Sequence, residues 1–380
     1  MLYRNFPGME EAPVSALGLG MMRLPTLGGD SAAIDRAAAM DIVRAALDAG
    51  VTYIDTAWPY HREQSETFVG DALAELGARE RVRLATKSPV WLVESEADWD
   101  RYLDTQLERL RTDRVDFYLM HAMNAERWIK LKKLGGLEFL RRAKADGRIG
   151  HAGFSFHDSN AVFNEILDGW DGWEFCQIQY NYMDEDYQAG LAGLQRAAAK
   201  GLGVIVMEPL RGGTLARLPD PALDILASYG VPRTPAEWAL RFALDRPEVV
   251  TVLSGMGSPG QVWENAAVAS SARPLSAEER AVIAQARDWL RSRQAVPCTT
   301  CAYCKPCPHG VAIPEIFELW NSVRMYGNKD GPASWYKTAY LSHGNGADAC
   351  VSCGICVTRC PQGIAIPERL AEAHRELAGE

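Results

Sequence analysis

Short β-branched runs alternate with longer amphipathic stretches from Ser15 to about Arg293. VSALGLG, TYIDTA (Thr52 to Ala57), VRLATKS (Val82 to Ser88), VDFYLMH (Val115 to His121), IGHAGFSF, FCQIQYN, LGVIVMEP and VVTVLSG have the length and residue types of buried strands. Between them, AAMDIVRAALDAG, SETFVGDALAEL, DRYLDTQLERLR, LEFLRRAKADG and LAGLQRAAAKG repeat apolar residues at helical spacing, and several end in a glycine suited to a left-handed C-cap. Ser65 stands where SETFVGDAL calls for an N-cap. Such alternation implies parallel strands joined by right-handed crossovers, and eight units predict an α/β fold of the closed (β/α)8 TIM-barrel type. An open doubly wound sheet is the competing architecture. It would want a third glycine after Gly18-Leu19-Gly20, and none stands at that spacing.

After Arg293 the strand periodicity stops, and cysteine, proline, glycine and aromatic residues take over. The boundary falls near Ala295, giving a barrel over residues 1–294 and a second domain over residues 295–380, with room for one or two helices between Ile316 and Ser342. At 380 residues and 47% hydrophobic content the chain can bury one large core and carry an appendage. A net charge of -9 and the lack of a basic stripe argue against nucleic acid as a partner. No stretch reaches the roughly 18 apolar residues of a membrane span, and Arg4, Glu10 and Glu11 interrupt the start where a signal peptide would be apolar. The expected location is cytoplasmic. Dense cysteine there points to metal or catalysis ahead of disulfides.

Eight of the nine cysteines lie in the second domain; Cys176, within a strand, reads as an apolar filler. Cys298, Cys301 and Cys304 recur every third residue, as do Cys350, Cys353 and Cys356. Each trio leads to a Cys-Pro pair, Cys307-Pro308 after two residues and Cys360-Pro361 after three, and the second spacing is that of bacterial ferredoxins. In two-cluster ferredoxins the fourth cysteine of each run crosses to the other cluster. By that rule one [4Fe-4S] cluster takes Cys298, Cys301, Cys304 and Cys360, and the other takes Cys350, Cys353, Cys356 and Cys307. Two tetrathiolate zinc sites are the alternative, although structural zinc usually presents paired C-x-x-C knuckles. The expectation is a small α-helical, ferredoxin-like two-cluster domain, with His309, His343 and His374 at its surface.

In a barrel, chemistry gathers where strands end. Asp55, Lys87 and His121 close the second, third and fourth runs, and Tyr60 follows in the loop after Asp55. A phenol titrates near 10 and donates a proton at neutral pH only if a cation stabilises its anion. Lys87 supplies one, Asp55 would hold the ammonium, and His121 would orient a carbonyl. Taken singly, a buried Asp-Lys pair or a lone histidine is usually structural. Trp58, His61, Arg62, Trp91, Asn124 and Tyr182 follow strand ends as pocket candidates, each equally a candidate for loop packing.

YIDTAWPYHREQSE, LATKSP and VDFYLMH, in that order, resemble the catalytic motifs of the aldo-keto reductase superfamily, with Asp55, Tyr60, Lys87 and His121 as its tetrad. The cysteine-rich tail is similar to that of the branch of predicted oxidoreductases with ferredoxin-type clusters. The resemblance implies NAD(P)H as hydride source and Tyr60 as general acid, with Ser155 and Gln177 at the carboxamide. Pro209, Leu210, Arg211, Gly212 and Gly213 would lie along the pyrophosphate, and Gly255, Ser258, Gln261 and Asn265 near the adenosine. Phe156, Met207, Gly257 and Gln261 depart from the family pattern, and no arginine fork awaits a 2′-phosphate. The resulting expectation is carbonyl reduction or alcohol oxidation of a small molecule, coupled to clusters that exchange electrons with a ferredoxin-like or flavoprotein partner. A cluster-dependent dehydratase or epimerase acting on a sugar or polyol without nicotinamide, and a non-catalytic electron-transfer module, are the alternatives.

Overall fold

The computed structural model describes residues 1–8, 13–300 and 302–379. Each of the eight strand-like runs contributes one barrel strand: β3 (Leu17–Gly20), β4 (Tyr53–Asp55), β5 (Arg83–Ser88), β6 (Val115–Met123), β7 (Ile149–Phe156), β8 (Phe175–Gln179), β9 (Gly203–Met207) and β10 (Val249–Ser254). All are parallel and close in the order β10-β3-β4-β5-β6-β7-β8-β9. The connecting helices include α1 (Arg36–Asp48), α2 (Ser65–Glu75), α3 (Ala97–Leu110), α4 (Ala125–Lys133), α5 (Gly136–Ala145), α6 (Asn160–Asp168), α7 (Gly190–Ala199), α9 (Pro235–Leu244) and α10 (Pro259–Ser270).

Strand periodicity decides what faces the barrel axis. Tyr53, Ala85, Phe117, Phe175 and Ile205 point inward and form one buried cluster, whereas their neighbours Ile54, Leu84, Tyr118, Cys176 and Val204 belong to the core on the helix side. Gly153 on β7 leaves the space that Phe175 fills, since a Cβ there would meet its ring at 2.6 Å. Two residues further along the inward rows stand Asp55, Lys87, Ser155 and Gln177, so the apolar filling gives way to polar groups at the strands' C-terminal ends.

An element absent from the periodicity closes the other end. Strands β1 (Tyr3–Arg4) and β2 (Val14–Ser15) pair antiparallel, too short to show alternation. They deliver Phe6 to the interior cluster, 4.7 Å from the Phe117 ring centroid and 6.1 Å from that of Phe175. Burial of one such ring contributes about 1.5–3 kcal/mol. Ser65 does not cap α2: the cap position is Gln64, and the Ser65 hydroxyl pairs instead with that of Thr56 at 2.9 Å. His61, Arg62 and Glu63 precede it with φ of 51°, 49° and 70°, and that left-handed turn aims Ser65 inward.

The chain forms two compact units, Met1–Ala216 with Arg233–Arg280, and Arg217–Pro232 with Ala281–Glu380. The second contains α8 (Asp220–Ala227), most of α11 (Ala277–Ser292), α12 (Ile313–Tyr326), α13 (Asp330–Trp335), α14 (Ile355–Arg359) and α15 (Ile366–Ala378). Its sequence holds a short repeat, CPHGVAIPE from Cys307 and CPQGIAIPE from Cys360. In both copies a glycine with positive φ, Gly310 at 75° and Gly363 at 62°, turns the chain, and a proline enters the first turn of α12 or α15. Val311 and Ile364, then Ile313 and Ile366, occupy matching buried positions. Glu376 ties α15 to α12, accepting from Trp320 Nε1 at 2.6 Å and pairing with Arg324. Asn321 accepts from the Val296 amide and donates to its carbonyl, fixing the approach to the first cysteine run.

Candidate active site and cysteine module

Lys87 is fully buried, and its ammonium is directed to three acceptors: Asp55 Oδ1 at 2.6 Å, the Thr56 carbonyl at 2.7 Å and Tyr60 Oη at 3.3 Å. No rotamer freedom remains to the charged group. Burial alone would drive Lys87 toward its neutral form, but Asp55 and Tyr60 more than offset that and hold its pKa above the ordinary value. For Tyr60 the balance runs the other way: burial raises the phenol above 10, and the nearby ammonium only partly reverses this. The sequence-based expectation of a cation-lowered phenol therefore needs a correction. Tyr60 is firmly protonated, beside an ammonium that stays charged. His121 lies edge-on to Tyr60, ring centroids 6.1 Å apart. Burial, then the charge of Lys87, pushes it well below 6.5, so the ring is neutral; its Nδ1 is buried without a partner.

A network beneath this trio was not legible as chemistry. Gln106 on α3 donates to the Lys87 carbonyl at 3.0 Å and to Glu66 Oε1 at 2.6 Å, and accepts from Tyr118. Thr86 and Arg109 also bind Glu66, which is fully buried. In sequence these are ordinary charged and amide residues on helices α2 and α3.

The residues expected at a nucleotide are distributed unevenly. Ser155 and Gln177 are paired neighbours in the β7–β8 register and both are buried. Ser155 Oγ accepts from the Ala122 amide at 2.7 Å. Gln177 Nε2 meets the Met207 sulfur at 3.6 Å, and its Oε1 is a buried acceptor with no partner. Phe156 is turned outward by strand parity and packs on Phe163. Past β9, Pro209, Leu210 and Arg211 lead to Gly212 and Gly213 with φ of 68° and 90°, a loop that L-residues would strain. Arg211 pairs with Asp184 at 3.3 Å, and Arg23, a cation missed in the sequence, reaches Glu208 at 3.7 Å and runs across Gly255. Ser258 caps α10, Gln261 accepts from the Gly257 amide at 2.8 Å, and Asn265 donates to Ser254 at 3.2 Å, so the three are engaged within their own segment.

Of the pocket candidates, Trp91 stays at the site, 5.3 Å from the His121 ring. Trp58 instead packs between Arg109 and Tyr102, Tyr182 packs against Phe242, and Asn124 caps α4. His61 meets the Ser31 carbonyl at 2.9 Å and Arg62 pairs with Asp30 at 3.8 Å, which assigns both to loop packing.

In the second unit, Cys356 is buried, and its thiol is pushed up by burial and then by the neighbouring Cys350, Cys353 and Cys307. Cys298, Cys304 and Cys360 line one largely apolar hollow with Ile313, Phe317 and Ile366. Thus Cys307 stands near Cys350, Cys353 and Cys356, and Cys360 near Cys298 and Cys304, a grouping compatible with the crossed ligation of two-cluster ferredoxins. Cys301 lies outside the described residues. Among the described residues no disulfide forms, and no three Cys, His, Asp or Glu side chains converge as a single ion would require. Thiol donors around an apolar hollow fit an iron–sulfur cluster. His374, expected at the surface, is half-buried and bonded through Nδ1 to Tyr336 at 2.6 Å. No helix among the described residues is long and apolar enough to cross a membrane.

Residues 297–365 match the 4Fe-4S dicluster domain model. Aldo-keto reductase YhdN of Bacillus subtilis (strain 168) is 37% identical over 122 residues, which is 28% of this chain and 34% of that protein. The uncharacterized oxidoreductase YqkF of the same organism is 26% identical over 302 residues, covering 72% of this chain and 92% of the relative. A solved aldo-keto reductase from Klebsiella pneumoniae in complex with NADPH superposes with a TM-score of 0.61 at 25% identity, over 75% of this chain and 95% of its own. The Aldo/keto reductase family model spans residues 16–288, the whole of the barrel and the Asp55–Tyr60–Lys87–His121 constellation. The chain is an oxidoreductase belonging to the aldo/keto reductase family, with a 4Fe-4S domain at its C-terminal end.

Proposed function

We propose that the barrel interconverts a carbonyl compound and its alcohol, with Tyr60 as the proton donor in the reducing direction. The observation that carries this is the buried Lys87 ammonium, held 2.6 Å from Asp55 and 3.3 Å from Tyr60 Oη. A carbonyl oxygen seated between Tyr60 and neutral His121 receives two hydrogen bonds, and the Tyr60 proton passes to it as negative charge builds there. Lys87 is already in place to stabilise the phenolate that remains, so that stabilisation requires no rearrangement. Asp55 keeps the ammonium charged and fixed. A bound nicotinamide would supply the hydride. The NADPH of the Klebsiella relative supports this reading, as do the unpartnered Gln177 Oε1 and the glycine loop at Gly212 and Gly213. Arg23 and Arg211 are the cations available to its phosphates.

The tail is the seat of two [4Fe-4S] clusters, one on Cys298, Cys301, Cys304 and Cys360, the other on Cys350, Cys353, Cys356 and Cys307. Such clusters move single electrons, which a ferredoxin-like or flavoprotein partner would exchange. Tyr60→Phe keeps the ring and removes the proton-donating hydroxyl, and is expected to lower NAD(P)H-dependent turnover about 10²–10⁴-fold with iron content unchanged. Wild-type turnover in that variant would remove Tyr60 from the mechanism. Titration with NADPH and NADH separates this reading from a nicotinamide-independent reaction, which binding of neither would favour.

A further inference from the structure

The wall beside His121 holds a cation that the reaction does not use. Arg127, in the first turn of α4, is half-buried, and Nη1 donates to the Ala122 carbonyl at 2.5 Å. Its guanidinium carbon lies 5.1 Å from the centre of the Trp91 ring, and that ring lies 5.3 Å from His121. Lys130, one turn further along α4, holds the Trp91 carbonyl at 2.9 Å from the other side. Among the described residues Arg127 forms no ion pair with a carboxylate, its side-chain contacts being the Ala122 carbonyl and the Trp91 ring. Burial lowers its pKa, with only a weak opposing pull from Glu126. Its charge is felt at the site, because it is one of the groups that depress His121. A half-buried guanidinium without a counter-ion is costly, and placing it beside a reaction centre is reasonable if an anion arrives with the substrate.

We propose that Arg127, steadied by Trp91 and the Ala122 carbonyl, is an oxyanion-recognising residue, and that the substrate is a carbonyl compound carrying a carboxylate or phosphate a few bonds from the reacting carbon. This rests on the carbonyl-reduction reading of the same site. One fixed N–H and a ring face hold the guanidinium plane, leaving its other N–H groups to pair two oxygens side by side. His121 and Tyr60 take the carbonyl at one end while Arg127 takes the acid at the other, so substrate orientation follows from its charge.

The test compares 4-formylbenzoate and 4-formylphenyl phosphate with the neutral methyl 4-formylbenzoate, by NADPH-dependent turnover and by calorimetric titration of the full protein. Wild type should favour at least one charged aldehyde over the ester by tenfold or more in kcat/KM, about the effect of one charged hydrogen bond. Arg127→Gln should collapse that ratio toward one. Arg127→Lys, which keeps the charge but not the fork, should retain part of it and guards against a folding defect in the glutamine variant. Equal preference in wild type, or an unchanged ratio in both variants, would overturn the anion site while leaving carbonyl reduction standing. Selective binding of the charged aldehydes without turnover would do the reverse. The phosphate and benzoate arms tell the two oxyanions apart.

Discussion

The barrel and the cysteine module solve the problem of assembling a polar site in different ways. In the barrel, Asp55, Lys87 and His121 come from three strands separated by whole βα units, and a large apolar interior holds them in register. In the module, each cysteine trio lies within seven residues of chain, and the CPHGVAIP and CPQGIAIP repeats build the same turn and helix start twice. Position in the first case depends on packing across the molecule. In the second it depends on local chain geometry and a small core around Ile316, Phe317 and Trp320.

If that contrast is right, damage should differ in kind. The largest effect is expected in the module: Cys356→Ser removes a buried thiolate at the centre of its group and should cost about half of the iron, measured as iron and sulfide per chain after anaerobic purification. Full iron content would mean that Cys356 is not a ligand. Phe117→Ala, at the aromatic heart of the barrel, should destabilise by about 3–5 kcal/mol, read from denaturant unfolding, with the iron content of the folded protein retained. A loss under 1 kcal/mol would show that the interior collapses around the gap and does not set the register of the tetrad.

The smallest expected effect is one of pH. Reduction needs the Tyr60 proton, and burial raises that phenol, so kcat/KM should fall only as pH rises through a value above 10. His121, depressed by burial and by Lys87, should add no inflection near 6.5. A basic limb near neutrality would mean that bound cofactor lowers the phenol before the substrate arrives, and an inflection near 6.5 would return His121 to acid–base work.

Much of the site could be read in advance for a simple reason. A single charged residue closing an apolar β-run is usually structural, but Asp55, Lys87 and His121 close three runs in succession, and in a parallel barrel those strand ends share one rim. Cysteine spacing is more explicit still, since thiolates every third residue already describe a curve around a cluster. Residues on helices gave no such signal. Arg127, Glu66 and Gln106 sit in amphipathic segments where arginine, glutamate and glutamine are commonplace, and only packing brings their side chains to Trp91, to Thr86 and to the Lys87 carbonyl. Loop residues misled for the converse reason. Trp58 and Tyr182 follow strand ends, yet their rings are drawn into apolar packing against α3 and α9.

By itself, then, the amino-acid order determined the eight-fold alternation, the polar strand ends and the spacing of the sulfur ligands, because each is a periodicity that local backbone geometry enforces. Tertiary structure alone decided the protonation balance at Tyr60 and Lys87, the nearness of Cys307 to Cys356 and of Cys360 to Cys298 and Cys304, and the placing of Arg127 over Trp91. Those depend on distances between segments far apart in the chain and on how much water is excluded from between them, quantities that no local pattern encodes.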